Sequence, residues 1–408
     1  MYRGITLTPV VSKLFESVLM SIYGNWLGSD HLQYGFKKDS SCSHALFNFT
    51  ESTRHFNKRG SKVYGAFLDA SKAFDKVLLN GLITKLIKRN IPIPLIRILY
   101  TWFNNLHCSV AWKSMLGVPF AVICGVRQGG ILSPFLFAIY VDDLIDRLRC
   151  SGYGLHIGAI FIGAILYADD IALLACSCLS LQRLIDICIE YGLQWDIRFN
   201  PQKTQIACFG GKLPNHNIIA FAEQPLSWST QIKYLGCFFN CRNCEVDTAS
   251  FVARFYGTYN NILNVMGKSN CRNDMVAVHL IKSYCLPSML YGCEIWSLNR
   301  SDTRTLDIAW NNAFRKIFNA FWRESVKPLL YYCACLPIAY VLPMRKIIFW
   351  RKMFYSSNIV LHTLAKDCKE NIVAVADAYN INVAQVLHLD NSSLKDLFWE
   401  HFVEAVKP

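Results

Sequence analysis

The sequence predicts an α+β protein, because strand-like and helix-like segments alternate through the first 240 residues and helix-like segments follow. The strand-like ones are short apolar runs carrying carboxylates: Val63-Tyr-Gly-Ala-Phe-Leu-Asp69 and Gly163-Ala-Ile-Leu-Tyr-Ala-Asp-Asp-Ile-Ala-Leu-Leu-Ala175. The helix-like ones, residues 78–88 and 95–106, repeat apolar residues at helical spacing and are divided by Pro92 and Pro94. With 408 residues, 53% of them hydrophobic, the chain can bury a large core, organised in two or three structural units.

Taken in order, residues 1–62 alternate short apolar stretches with turn and basic residues, including Gln33-Tyr-Gly-Phe-Lys-Lys38. From residue 63 to about 240 the pattern is strand, helices, strands, helix, hairpin, helix, strands. The helix between the two acidic strands contains Tyr140-Val-Asp-Asp143, where Asp143 and Arg147 stand four residues apart and Leu144 and Leu148 continue an apolar stripe. Asp142 and Asp143 are therefore expected on a solvated helix face. Residues 251–266 and 274–286 read as amphipathic helices, and the remainder to Pro408 is helical and aromatic-rich, with Arg345-Lys346 and Arg351-Lys352 as basic pairs.

Asp169 and Asp170 are the only formally charged residues between Arg149 and Arg183, and Asp69 is the only one between Lys62 and Lys72. Burying carboxylates costs several kcal/mol each unless a cation compensates. The apolar runs flanking Asp169 and Asp170 read as two strands of six to eight residues whose tight turn presents both acids at its tip. Oxygen-only donors suit Mg²⁺ or Mn²⁺ rather than zinc. Two carboxylate-bearing strands side by side can hold two such ions, an arrangement that serves phosphoryl transfer.

Phe67-Leu-Asp-Ala-Ser-Lys-Ala-Phe-Asp75, Gly125-Val-Arg-Gln-Gly-Gly-Ile-Leu-Ser-Pro134 and Tyr167-Ala-Asp-Asp170 resemble motifs A, B and C of reverse transcriptases, in their order. Asn200-Pro-Gln-Lys-Thr204 and Tyr234-Leu-Gly236 stand where motifs D and E should lie. Together with Tyr2-Arg-Gly-Ile-Thr-Leu7 and Leu290-Tyr-Gly-Cys-Glu-Ile-Trp296, they make the chain similar to the enzymes of non-LTR (LINE) retrotransposons over roughly residues 1–350. The resemblance implies a right-hand polymerase fold: partial fingers at 1–62, palm at 63–240, thumb-like helices at 241–330, and a helical C-terminal region of unknown role at 331–408. It implies an RNA-directed DNA polymerase using two Mg²⁺ or Mn²⁺ ions, an RNA template, a DNA primer and dNTPs.

Residue by residue, the resemblance makes Asp69, Asp169 and Asp170 the metal site, with Asp170 acting less directly, and Lys203 the acid that protonates departing pyrophosphate. It places Phe74 as a steric gate under the nucleotide sugar, and Gln128, Gly129, Arg127, Lys37 and Arg3 around the nucleotide. Tyr234, Leu235 and Gly236 become a primer grip, with Trp228 beside them. Arg254, Lys268, Arg272 and Lys282 become a phosphate track on the thumb. Asp75 reads as structural, closing the turn into the next helix.

A formal charge of +13 agrees with a polyanionic partner. The first 25 residues mix Arg3, Lys13 and Glu16 into the apolar sequence, unlike a signal peptide, and no apolar run reaches membrane length. Seventeen cysteines without a spacing framework suit thiols in a reducing compartment, so an intracellular protein of nucleus or cytoplasm is expected. Cys241-Arg-Asn-Cys244 has ligand-like spacing but lacks the second pair that a structural zinc site needs. A non-catalytic, retrotransposon-derived RNA-binding protein is the alternative reading, because the fingers region reads as truncated.

Overall fold

The computed structural model describes residues 6–70, 73–213, 219–222, 224–268, 273–297 and 299–406. It divides into two compact units, Met1–Ile232 and Lys233–Pro408.

The first unit is built on a five-stranded sheet. Its strands are β1 (Val63–Asp69), β2 (Ala164–Tyr167), β3 (Asp170–Ala175), β4 (Gln205–Phe209) and β5 (Trp228–Ser229), in the order β5-β4-β1-β3-β2. All neighbours are antiparallel except β4 and β5. Helices α1 (Val10–Tyr23), α2 (Cys42–Lys58), α3 (Leu79–Lys88), α4 (Ile93–Asn104), α5 (Ser133–Cys150) and α6 (Cys178–Trp195) complete the unit. Phe49 of α2 packs edge-on against Phe67 of β1 and Phe209 of β4, while α6 packs on β1 and β3. Leu68, Ile165, Leu166, Ala172 and Leu173 are almost wholly buried, so the sheet centre is a two-sided core, as the continuous apolar runs require.

Local chemistry sets the helix ends. Ser41 and His44 form a capping box at the start of α2, and Ser177 accepts the Ser180 N–H at the start of α6. Pro94 lies in the first turn of α4, where its lost N–H costs nothing, so this helix begins at Ile93 rather than after the proline pair. The entry to α5 is held from α1: the buried Glu16 carboxylate accepts the Ile131 and Leu132 N–H groups, the latter at 3.1 Å.

The acidic face expected on α5 is solvated only in part: the Asp143 side chain stays 39% exposed, whereas Asp142 is buried. Asp142 is 5% exposed, ion-pairs with Arg89, and accepts the Asp30 N–H at 2.9 Å. Asp143 pairs at 2.9 Å with Lys85, which is itself 1% exposed, while Arg147 bonds Gln194 instead. The Lys85 ammonium lies 4.1 Å from the Trp195 ring centroid, 4.8 Å from that of Tyr191 and 5.2 Å from that of Tyr140. Burial lowers its pKa from 10.5 to about 8, with Asp143 opposing.

This lysine makes stability depend on pH in a defined direction. Between about pH 8 and 10.5 the unfolded chain holds the proton and the folded chain does not, so the Lys85 contribution rises with pH, by roughly 3 kcal/mol in all. Below pH 8 both states are charged and the penalty is constant. Lys85→Met should therefore stabilise the fold at pH 7, since the 39%-exposed Asp143 carboxylate stays hydrated without its partner and the Tyr191 hydroxyl keeps its bond to the Tyr140 carbonyl. Denaturant unfolding at pH 7, 8, 9 and 10 should give a parent-minus-variant difference that shrinks as pH rises; a constant difference would show that Lys85 does not titrate in this range.

Gln231–Tyr234, Cys237–Asn240 and Glu245–Val246 form a three-stranded sheet whose first strand begins two residues before Lys233, and the described remainder of the second unit is helical. Helix α7 (Ala249–Lys268) is followed by α8 (Asp274–Leu280), which continues through a π-turn at Ile281–Cys285 into α9 (Leu286–Met289). Helices α10 (Arg300–Ile317), α11 (Lys327–Tyr332), α12 (Ile338–Phe354), α13 (Ile359–Asp367), α14 (Lys369–Asp377), α15 (Val383–His388) and α16 (Asn391–Glu404) complete it. Phe251, Phe255, Trp310, Phe314 and Trp350 form its aromatic core.

Candidate active site

Strand pairing assembles the acidic site. In the β1–β3 register Asp69 stands opposite Asp170, and in the β2–β3 register Asp170 also faces Tyr167. Adjacent strands lie about 4.8 Å apart, so pairing alone joins two acids a hundred residues apart in sequence. Asp170 thus begins β3 rather than sitting at the tip, and Ala168-Asp169 forms the two-residue loop. Ala168 has φ +57°, a conformation costing an L-residue roughly 1–2 kcal/mol. Strand β2 has four residues, shorter than the apolar run suggests, and residues 156–161 before it form a separate small hairpin.

The segment holding Lys203 is fastened to the end of β1. The Asn200 N–H donates to the Asp69 carbonyl at 3.0 Å, Asn200 accepts the Gln202 N–H at 3.0 Å, and the Lys203 ammonium reaches the Asp69 carboxylate at 3.1 Å. Both side chains keep solvent access, 31% for Asp69 and 62% for Lys203, so the pair adds little stability and its geometry stays open to ligand.

Motif B docks onto the turn after β1. Phe74 is half-buried and stacks on Phe137 of α5, with ring centroids 4.4 Å apart, and Phe36 meets it edge-on at 5.9 Å. Its carbonyl accepts the Val126 N–H at 2.8 Å. A Cβ on Gly125 would come within 2.9 Å of the Asp75 backbone, and Gly129 has φ +108°, so both positions need glycine. Gln128 donates its side-chain N–H to the Asp75 carboxylate at 2.8 Å. Asp75 thus bonds a side chain 53 residues away, a partner that local spacing does not reveal.

Other expected contacts are engaged within the chain. Arg127 is half-buried with its guanidinium 5.2 Å from the Trp102 ring centroid; burial lowers its pKa while Glu16 opposes. The Lys37 ammonium donates to the carbonyls of Ser29 at 2.9 Å and Asp30 at 3.1 Å, and burial lowers its pKa. This geometry ties Lys37 to its own loop. Arg3 and Arg272 lie outside the described residues, as does the side chain of Lys268.

Gln33 was not singled out by sequence. Its side-chain oxygen accepts the Ala168 N–H at 3.0 Å and the Gly35 N–H at 2.9 Å. The available signal was Gln33 itself, a lone amide in the run Leu32-Gln-Tyr-Gly-Phe36, and its side chain is almost fully buried.

In the second unit, Leu235 (φ +44°) and Gly236 (φ +81°) form a tight turn after the buried Tyr234. The Tyr291 hydroxyl donates to the Leu235 carbonyl at 3.0 Å, and Arg254 to that of Gly236 at 3.2 Å. Arg254 and Lys282 are exposed. Trp228, in the first unit, packs its ring against Tyr64 at 5.9 Å.

Among the described residues, no three His, Cys, Asp or Glu side chains are grouped to hold a metal ion unaided. Mg²⁺ ordinarily binds through one or two carboxylates plus substrate phosphates and water, so the hard, solvent-reachable oxygens of Asp69 and its neighbours fit such an ion. Among these residues no helix is long and apolar enough to cross a membrane.

Comparison with known proteins gives a match to the family reverse transcriptase (RNA-dependent DNA polymerase) over residues 1–239. The chain is 26% identical over 343 residues to a probable RNA-directed DNA polymerase from transposon X-element of Drosophila melanogaster, covering 79% of this chain and 36% of that protein. It is 27% identical over 334 residues to that of transposon BS from the same organism, covering 78% and 36%. The RNA-directed DNA polymerase from mobile element jockey of Drosophila funebris is 23% identical, covering 79% and 36%. The chain thus spans about a third of the length of these curated relatives. A solved structure of telomerase from Candida tropicalis with a fragment of telomeric RNA is 13% identical, covers 95% of this chain and 57% of that one, and superposes with a TM-score of 0.49.

Proposed function

The chain belongs to the reverse transcriptase (RNA-dependent DNA polymerase) family, and from that premise we propose that it is a LINE-type polymerase, extending a DNA primer on an RNA template. The observation that carries this reading is the register setting Asp69 opposite Asp170, with Asp169 in the adjoining loop and Lys203 on the Asp69 carboxylate. Two Mg²⁺ or Mn²⁺ ions held by Asp69 and Asp169, with Asp170 in support, would lower the pKa of the primer 3′-hydroxyl and neutralise charge developing at the α-phosphate.

The protein's own groups do the rest. Lys203 stands ready to donate a proton to pyrophosphate as it leaves. Gln128, oriented by Asp75, and Gly129, bare of side chain, receive the nucleotide and let template backbone approach closely. Arg127 and Arg3 flank the triphosphate, whereas the bonds of Lys37 favour bracing over phosphate contact. Tyr234, Leu235 and Gly236 support the primer end. In this reading residues 1–62 are fingers, 63–240 palm and 241–330 thumb, with a helical region at 331–408.

Primer extension on an RNA template, with dNTPs and Mg²⁺, tests the proposal. Tight RNA binding without any extension would favour the non-catalytic RNA-binding protein instead. Arg254, Lys268, Arg272 and Lys282 form the phosphate track, so primer-template affinity should fall steeply with salt as counterions are released. Arg254→Ala with Lys282→Ala should reduce the log–log salt slope by up to about 2, near 0.9 for each phosphate no longer neutralised; an unchanged slope would make both residues ordinary solvated charges.

A further inference from the structure

We propose that Gln33 is the positioning residue of the aspartate loop, holding Ala168-Asp169 in its working shape through the bond from the Ala168 N–H to its side-chain oxygen. The inference rests on the polymerase reading and adds to it a residue outside every acidic motif. The backbone places it there: the Tyr34 N–H donates to the Leu166 carbonyl at 2.8 Å and the Leu166 N–H to the Leu32 carbonyl at 2.9 Å. Residues 32–34 therefore run as a short parallel strap along the free edge of β2, and Gln33, 1% exposed, reaches past the strand end to the loop.

The loop needs such support. Two-residue hairpin loops with a positive φ at their first position ordinarily use Gly or Asn there, and this chain has Ala168 at φ +57°. A residue with a Cβ does not choose that conformation by itself, so something outside the loop must hold it. The strap comes as near as backbone allows. A Cβ on Gly35 would lie 2.5 Å from the Ala168 nitrogen, so only glycine permits the approach.

The strap is itself tied down on both sides. Asp30 accepts the Leu32 N–H at 2.9 Å and an Arg149 guanidinium bond at 2.6 Å, while its own N–H donates to Asp142 of α5. The Lys37 ammonium closes the same loop on the carbonyls of Ser29 and Asp30. Asp142, which mimics an active-site acid in sequence, thus acts through this bracket, and rigidity passes from α5 through Asp30 and Gln33 to the loop carrying Asp169.

Gln33→Met keeps the length of the side chain and removes the acceptor. In the full chain, kcat for primer extension should fall by about ten- to a hundredfold, the cost of small misplacement at a reacting centre, with primer-template Kd unchanged. Mn²⁺ binding, followed by electron paramagnetic resonance with primer-template and a non-hydrolysable dNTP present, should weaken several-fold. Adding Ala168→Gly should restore part of both losses, because glycine adopts positive φ without support; a purely core-packing role for Gln33 would lower the Tm and gain nothing from this second change.

Hydrogen exchange in the unmodified protein covers the case in which Gln33→Met does not fold. The Ala168 amide should be strongly protected, and exchange at the free-peptide rate would overturn the proposal, as would a folded variant with the parent's kcat and Mn²⁺ binding. If the parent extends no primer, the polymerase reading falls, while Mn²⁺ binding and Ala168 exchange still decide the role of Gln33.

Discussion

Asp69→Asn and Asp169→Asn should each cut primer extension by at least about a thousandfold, some 4 kcal/mol of transition-state stabilisation. Asn keeps the shape of Asp and loses its charge, so the loss isolates cation binding from packing. Stability should barely move: the Asp69–Lys203 pair is partly exposed on both sides, and such pairs contribute about 1 kcal/mol or less. Asp170→Asn should cost less, as the more indirect member. Lys203→Ala should slow the reaction by roughly a hundredfold through loss of the general acid. The decisive comparison is single-turnover extension alongside thermal melting. Folded variants of Asp69 and Asp169 with the parent's rate would remove the carboxylates from the chemistry.

The acidic strands were legible because their signal is local: an isolated charge in an apolar run needs a partner, and alternation of strand and helix patterns orders the elements. That the two strands lie side by side followed from the same fact, since each carries its acid at one end. What escaped sequence were the side-chain contacts between other distant segments. Asp143 and Arg147 have ideal helical spacing, yet Lys85, 58 residues away, brings a buried ammonium that needs a carboxylate, and Asp143 supplies it while keeping 39% of its own side chain exposed. Asp142 likewise looked exposed because its partners, Arg89 and the Asp30 N–H, come from other elements. Lys37 and Gln33 share this difficulty. A basic side chain beside a motif reads as a phosphate ligand until the fold reveals carbonyls within its reach, and a lone Gln carries no sign of the amide it will meet.

Phe74→Ala is expected to lower the preference for dNTPs over rNTPs by about a hundredfold, close to 3 kcal/mol. Absence of a favourable interaction seldom discriminates this strongly, whereas a clash with side chains that cannot yield does. Phe74 meets that condition, because its ring stacks on Phe137, which is 1% exposed, and is met edge-on by Phe36. A ribose hydroxyl pressing on it would have to displace the packing of α5 as well. The same bracing predicts that Phe137→Ala, which removes the support and leaves the gate, should relax discrimination part of the way. Loss of a half-buried aromatic ring also destabilises the fold, by less than the roughly 3–5 kcal/mol of a fully buried one, so kcat/KM for each nucleotide must be compared within the folded fraction. Selective gain on rNTPs, with dNTP extension and cation binding retained, identifies a gate. Equal losses on both nucleotides would instead make Phe74 a core residue whose ring merely supports the turn after β1.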